Sequence, residues 1–477
     1  MKRFFFMTAL IAVAISASAE LKYVFYFIGD GMGANQVLTS EMYRSALQGE
    51  PLGRVQTLMT TFPYSGQAAT FSKSNGITDS AAAGTCLATG SKTTNGTLGL
   101  NENGDTLTTI AEELKEQGWG VGIMTTVAID HATPAAFYAN VAKRNKYYEI
   151  GKQLCESRFD FFGGAGFHHP EGKRDDKKVN LYRLAEEKGY TIAHGYKEAQ
   201  ALIQSDMPAS TKPYTELNKL ILVQTTDDQG AKHGDNLPYA IDRKAGDLTL
   251  AQIVETALLF LNDRHERFFM MVEGGMIDYA CHANDAATAI GETWDMDEAM
   301  RLVYEFYLAH PDETLIVVTA DHETGGFALG NSDYTLQLAL LQNQRCSAAA
   351  LSDKFNRLFE EDKKPSWKEV KVLYTENLGL WDRVEVSDEE EEELKDLYKA
   401  ALHHKAKDNK TMYKTINALS NAGVKLLNKK AKIGWTSDAH TASAVPVFAI
   451  GAGAERFTGW HDNTELVPLI RQAIQQK

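Results

Sequence analysis

Cysteine is scarce in this chain. There are four in 477 residues, Cys86, Cys155, Cys281 and Cys346, and no two share a CxxC spacing. Four thiols allow three pairings, and sequence does not choose among them. A chain of this length buries enough surface to need no covalent staples, so buried thiols are expected. Positive charge is also short: 49 Lys and Arg stand against 63 Asp and Glu, a net charge of −14. That balance argues against non-specific binding to nucleic acid or to anionic membranes. It leaves an anionic substrate open, because bound divalent metals invert a local field. Internal repeats, proline-rich linkers and low-complexity tracts are absent. The 44% hydrophobic and 23% charged content is ordinary for a soluble globular protein with a substantial core.

The chain opens "MKRFFFMTALIAVAISASAE". Lys2 and Arg3 form a basic start, an apolar stretch follows, and Ala17-Ser18-Ala19 is an A-x-A cleavage site. The stretch is too short for a membrane anchor, and no cysteine follows for lipid attachment. Residues 1–19 read as a cleaved signal peptide, with the mature chain from Glu20. Export to the periplasm is the expectation.

Four short apolar runs stop at polar residues. "YVFYFIGDGMG" ends at Asp30, "GVGIMTTVAIDHATP" near His131 and Thr133, "RFFMMVEGG" at Glu273, and "TLIVVTADHETGG" at Asp321 and His322. They alternate with helical patterns such as "LTTIAEELKEQG", which indicates βαβ units. The fold class expected is α/β, a mostly parallel central sheet with helices on both faces. Polar residues then gather at the carboxyl ends of the strands, the edge where open α/β sheets bind ligands. Residues 20–477 form one such domain. A Leu-, Ala-, Lys- and Glu-rich stretch at about 330–430 reads as a helical insertion before the last strand. Within it, Ser387 and Glu390 fit a capping box, and the acidic run Asp388–Glu393 suits a solvated helix N-terminus.

Several clusters carry chemistry. In "VEGGMIDYACHAND", a helix starting near Ile277 puts Asp278 and His282 on one face at i and i+4. A carboxylate and an imidazole so placed suit zinc. His440, in "GWTSDAHTASAVPVFAIG", precedes its strand whereas the other candidates follow theirs. To share their edge, that strand must run antiparallel to its neighbours. Gly29, Gly31 and Gly33 around Asp30 are spaced GxGxG rather than GxGxxG. A carboxylate at that turn would repel a pyrophosphate, so a metal ligand is the better reading of Asp30. "GITDSAAAGTCLATGSK" sets Asp79 and Ser80 before a run of small residues. Ser80 is there either to open a helix or to react.

Taken together, "IGDGMG", "TDSAAAGT", "HATPAAF…KR", "VEGGMID…H", "VTADHETGG" and a final His resemble, in order, the alkaline phosphatase family. The resemblance implies a phosphate monoesterase with Ser80 as nucleophile through a phosphoserine, and Arg144 as the clamp on phosphate. It implies a first zinc on Asp278, His282 and His440 and a second on Asp30, Asp321 and His322. A magnesium ion would use Asp30, Thr133 and Glu273. His131 is expected behind the magnesium ligands, with Asp130 next to it as the competing match. Tyr279 is expected to contact phosphate through water or to pack, and Asp79 to orient Arg144. No histidine base beside Ser80 is evident. The resemblance allows a homodimer, and nothing in the sequence forces one.

Two other functions remain open at this point. A phosphodiesterase or phosphonate hydrolase of the same architecture would lack the third metal set and the arginine. A non-catalytic exported metal- or phosphate-binding protein would not need a nucleophile. The sulfatase motif Cys/Ser-x-Pro-x-Arg is absent from "TDSAAAGT".

Overall fold

Tyr23–Ile28 (β1), Gly120–Thr125 (β3), Phe268–Glu273 (β7) and Thr314–Thr319 (β8) bury all of their side chains. A strand buried on both faces needs layers on both sides, which is why these runs are continuous rather than alternating. Each fully buried Phe, Ile, Leu or Val contributes about 1.5–3 kcal/mol. The computed structural model describes residues 20–171, 179–206, 217–225, 236–331 and 333–476. Residues 1–19, read above as a signal peptide, lie outside the described residues.

The remaining strands of the central sheet are Tyr64–Ala69 (β2), Phe161–Gly164 (β4), Tyr190–His194 (β5), Lys219–Val223 (β6), Val445–Gly451 (β9) and Gly459–Asp462 (β10). Among the described residues, the ten strands of this sheet lie in the order β10-β2-β9-β8-β1-β7-β3-β4-β6-β5. β1 pairs in parallel with β7 and β8, and β3 with β7 and β4. β9 is antiparallel to both β8 and β2, as the position of His440 requires. The fold is therefore the expected mostly parallel α/β sheet flanked by helices. β10 follows β9 as a further edge strand, parallel to β2. Its short GWHD sequence carries little strand signal of its own.

After β8, the helices Ala348–Glu361, Trp367–Leu378, Asp388–Leu402 and Ala418–Lys430 gather around Phe355, Tyr374, Leu378 and Leu427 in a second apolar cluster. Ser387 caps the third of these helices in a capping box with Glu390. A short antiparallel pair, Asn409–Lys410 with Thr415–Ile416, stands between the last two. Its tip, residues 411–414, is closed by the Thr411 amide donating to Lys414 O at 2.9 Å. All four cysteines are buried free thiols. Among the described residues, no helix is long and apolar enough to cross a membrane.

Glu292, in the helix Ala286–Ala309, is 3% exposed and accepts a hydrogen bond from the Ala240 amide at 2.6 Å. Burial, with Asp295 nearby, pushes its carboxyl from 4.5 up to about 8. Between those values the folded chain holds a proton that the unfolded chain has released. Stability therefore falls as pH rises through this window, and the loss is complete above it. Glu292→Gln keeps the acceptor and removes the ionisation. The expected result is a gain of a few degrees in Tm at pH 9 that disappears at pH 5. A gain equal at both pH values would contradict a buried ionisation.

Candidate active site

β1, β3, β7 and β8 each deliver a piece of the site. β1 ends two residues before Asp30, and the next residue, Gly31, has φ +71°. A Cβ there would come within 2.8 Å of Thr324 Oγ1 and 2.9 Å of Asp278 Oδ1, so only glycine lets this turn approach the cluster. The Gly31 amide donates to Asp321 Oδ1 at 3.2 Å. β7 ends on Glu273, which accepts a short hydrogen bond from Thr125 at the end of β3. The helix Met276–His282 then presents Asp278 and His282 on one face. His440 pairs with Thr324 in a two-residue antiparallel ladder beside the sheet edge.

Ser80 is the first residue of the helix Ser80–Thr89 and is fully buried. The cap itself is Asp79, whose Oδ1 accepts from the Ala82 amide at 3.0 Å. The small residues serve packing, since a Cβ on Gly84 would lie 3.0 Å from Ala136 Cβ and 3.4 Å from Thr133 Cα. Asp79 Oδ2 also accepts from Arg144 Nη1 at 3.2 Å, while Arg144 Nη2 lies 3.2 Å from His131 Nε2. Asp79 therefore bridges the helix start and the Arg144 guanidinium. A histidine does stand beside the serine: His322 Nε2 lies 3.2 Å from Ser80 Oγ. The sequence concealed this pair because 242 positions separate the two residues.

Three donor groups share one buried volume. His282 Nε2 is 3.2 Å from His440 Nε2 and 3.3 Å from Asp278 Oδ2, and His440 Nε2 is 3.7 Å from Asp278 Oδ1. Asp30, Asp321 and His322 bring ligand atoms within 4.8 Å of one another, as do Asp30, His131 and Glu273. Thr133 Oγ1 lies 3.4 Å from both Asp30 Oδ2 and Asp321 Oδ2. His131, expected behind the magnesium ligands, brings a ring nitrogen within 4.8 Å of Asp30 and Glu273 carboxylate oxygens. Asp130 turns away and accepts from the His168 amide at 2.9 Å.

The donor set fits divalent cations. His282 and His440 donate their Nδ1–H groups to the carbonyls of Asp438 and Thr78, at 2.6 and 2.8 Å. Their Nε2 lone pairs then face each other, an arrangement that a shared cation relieves. Asp30 Oδ1, Glu273 Oε1 and Asp278 Oδ2 are buried without a hydrogen-bond partner. Burial, and after it neighbouring carboxylates, push Asp30 well above the carboxylate range, Glu273 up to about 8 and Asp321 up to about 7. Burial, with Arg144 nearby, lowers His131 to about 3, and burial with His440 nearby holds His322 well below its ordinary value. Metal ligation requires neutral imidazoles and ionised carboxylates. A cation would accept His322 as it stands and displace protons from the crowded acids and from His282, which, despite burial, Asp278 holds above its ordinary value. The sequence missed Thr324, which hydrogen-bonds Asp278 Oδ1 at 2.5 Å. It also missed Tyr413, stacked on Tyr279 with ring centroids 3.7 Å apart.

Comparison with known proteins agrees with this geometry. The family profile described as alkaline phosphatase matches residues 21–476. The chain is 31% identical over 469 residues to alkaline phosphatase 4 of Bacillus subtilis, covering 96% of this chain and 89% of that protein. The solved cold-active alkaline phosphatase from a psychrophilic Shewanella sp. is 27% identical, with a TM-score of 0.74 over 95% of this chain and 99% of that one. The Thermus thermophilus alkaline phosphatase is 26% identical, with a TM-score of 0.75 over 96% and 92%. The chain belongs to the alkaline phosphatase family and is a metal-dependent hydrolase of phosphate monoesters.

Proposed function

We propose that Ser80 is the nucleophile of a two-displacement phosphate monoesterase working with two zinc ions and one magnesium ion. The observation that carries this reading is the position of Ser80 Oγ. It lies at a helix N-terminus, 3.2 Å from His322 Nε2, beside the converging acid and imidazole donors. Asp278, His282 and His440 would hold one zinc, and Asp30, Asp321 and His322 the other. These sets mix imidazole with carboxylate, which suits zinc. Asp30, Thr133 and Glu273 would hold magnesium, which favours oxygen ligands. When bound, such cations supply Lewis acidity that makes a serine hydroxyl nucleophilic and neutralises phosphoryl charge.

The chain's own residues do the rest. Ser80 Oγ gives its proton up to solvent and forms a bond to phosphorus as the ester P–O bond breaks, and the alcohol departs with a proton from solvent. Water then attacks the phosphoserine from the same side as the departed alcohol, releasing phosphate and restoring Ser80. Arg144, anchored by Asp79, presents two N–H groups to the non-bridging oxygens, a bidentate geometry that a lysine would not reproduce. Amides at the start of the helix Ser80–Thr89 add a favourable field for the phosphoryl group. Phosphoryl transfer depends mainly on such positioning and electrostatics. The basic and apolar segment before Glu20, with its Ala17-Ser18-Ala19 site, supports export to the periplasm.

The test compares p-nitrophenyl phosphate, its bis-ester and p-nitrophenyl sulfate on one preparation whose metal content is measured. The expected result is a preference of ~100-fold or more in kcat/KM for the monoester, with zinc and magnesium near two and one per chain. A bis-ester turned over as fast as the monoester would assign a phosphodiesterase instead. No turnover of any ester by a fully metallated sample would leave a binding protein.

A further inference from the structure

The helical insertion reaches the active site through one side chain. Tyr413, at the tip of the short hairpin between the last two insertion helices, stacks on Tyr279 with an interplanar angle of 2°. Its ring also lies 5.3 Å from that of His282 and 5.8 Å from that of His131, edge to face in both cases. Tyr279 directly follows Asp278, so the stacked pair walls the Asp278–His282 side of the cluster. Among the described residues, the buried Tyr413 hydroxyl has no hydrogen-bond partner. A buried, unused donor is costly in a folded chain, and a water or ligand oxygen relieves it.

Beyond the pair lies a cavity of about 610 Å³, within the range of small-molecule sites. Tyr147, Tyr239, Tyr279, Tyr413, Ala349 and Ala350 line it. The rings and small side chains give it flat faces, interrupted by polar side chains such as Asn236 and Thr411. Asp242, Asp353 and Lys414 also line it, and Lys414 Nζ lies 3.5 Å from Asp353 Oδ2, so the acidic excess that disfavours a second anionic group rests with Asp242. His131 lines the same cavity and touches Arg144, so the cavity opens beside the phosphate clamp.

We propose that Tyr413, Tyr279 and this cavity form a subsite for the alcohol portion of the ester, one that selects uncharged planar-ring alcohols such as nucleosides. The proposal rests on the phosphomonoesterase reading above. The ring of the substrate stacks in the cavity, and the Tyr413 hydroxyl donates to an ester or sugar oxygen. Aliphatic esters such as glycerol phosphate offer the hydroxyl an oxygen but have no ring to stack. Tyr413 is a specificity residue in this scheme, and bond making and breaking stay with Ser80.

The experiment measures kcat and KM for adenosine 5′-monophosphate, p-nitrophenyl phosphate and glycerol 1-phosphate in the metallated parent, Tyr413→Ala, Tyr413→Phe and Ala350→Trp. Calorimetry of adenosine binding to the same proteins supplies a readout free of turnover. In the parent, ring esters are expected to be preferred and adenosine to bind. Tyr413→Ala and Ala350→Trp should each reduce the ring-to-glycerol preference about tenfold, through KM, and weaken adenosine equally. Tyr413→Phe should retain the ring preference. A drop limited to the nucleotide assigns nucleosides, and one shared with the aryl ester assigns planar rings in general. Unchanged preference in both Tyr413→Ala and Ala350→Trp, or no adenosine binding by the parent, overturns the subsite. Failure of the parent to hydrolyse all three esters overturns the phosphomonoesterase reading instead, while the adenosine heats still report on the cavity.

Discussion

Ser80→Ala is expected to lower kcat/KM for a phosphate monoester by about four orders of magnitude, with metal content and fold unchanged. The size of the loss follows from the geometry. Ser80 Oγ is the hydroxyl that stands 3.2 Å from His322 Nε2 at the opening of its helix, and alanine leaves no oxygen to bond phosphorus. Helix and packing should survive, because Asp79 is the cap and positions 81–83 are already alanine. Phosphate binding should survive too, since Arg144 and the helix amides are untouched. Two readouts make the result specific. Parent protein quenched during turnover of labelled substrate should carry covalent phosphate, and the variant should carry none. Near-parental turnover in a metallated variant, or label on both proteins, would remove Ser80 from the nucleophile's place.

Most of the site was legible because its residues obey local rules. Asp30, Glu273, Asp321 and His322 each end an apolar run, and parallel strands bring such ends to one edge. Asp278 and His282 follow from helical spacing, and His440 from the direction its strand had to take. The parts that stayed hidden depend on long-range placement. Nothing in "TMYKT" distinguishes Tyr413 from any exposed turn residue, and only the packing of four insertion helices sets it against Tyr279. Thr324 reaches Asp278 because a two-residue ladder with His440 turns it inward, and a pairing so short has no periodicity to read. The choice between Asp130 and His131 was a question of which neighbour faces the cluster. Backbone direction decided it, with Asp130 tied to the His168 amide. β2, with its sequence YSGQAA, is weak in β-branched residues and takes its place from its neighbours β9 and β10.

Removal of divalent metal is the second large effect expected, and it acts on activity and stability together. A chelator should reduce turnover to below about 1% of the parent value, a loss well within what metal-assisted displacement supplies. It should also lower Tm by more than about 5 °C at pH 8–9, because ions that bind only the folded chain stabilise it by mass action. The pH dependence follows from the carboxyls. Glu273 is pushed by burial from 4.5 to about 8 and Asp321 from 3.8 to about 7 in the metal-free fold. With their folded values raised, both hold protons that the unfolded chain releases at lower pH. The metal-free protein therefore loses stability as pH rises from about 4 towards 8, and regains none above. Cations must displace the same protons, so metal affinity increases across that range. The fall in Tm on chelation should accordingly be small at pH 5 and large at pH 9. Re-addition of zinc with magnesium should restore Tm and turnover together. A chelated protein that keeps its Tm at pH 9, or its activity, would mean that the buried acids and imidazoles are not held together by metal.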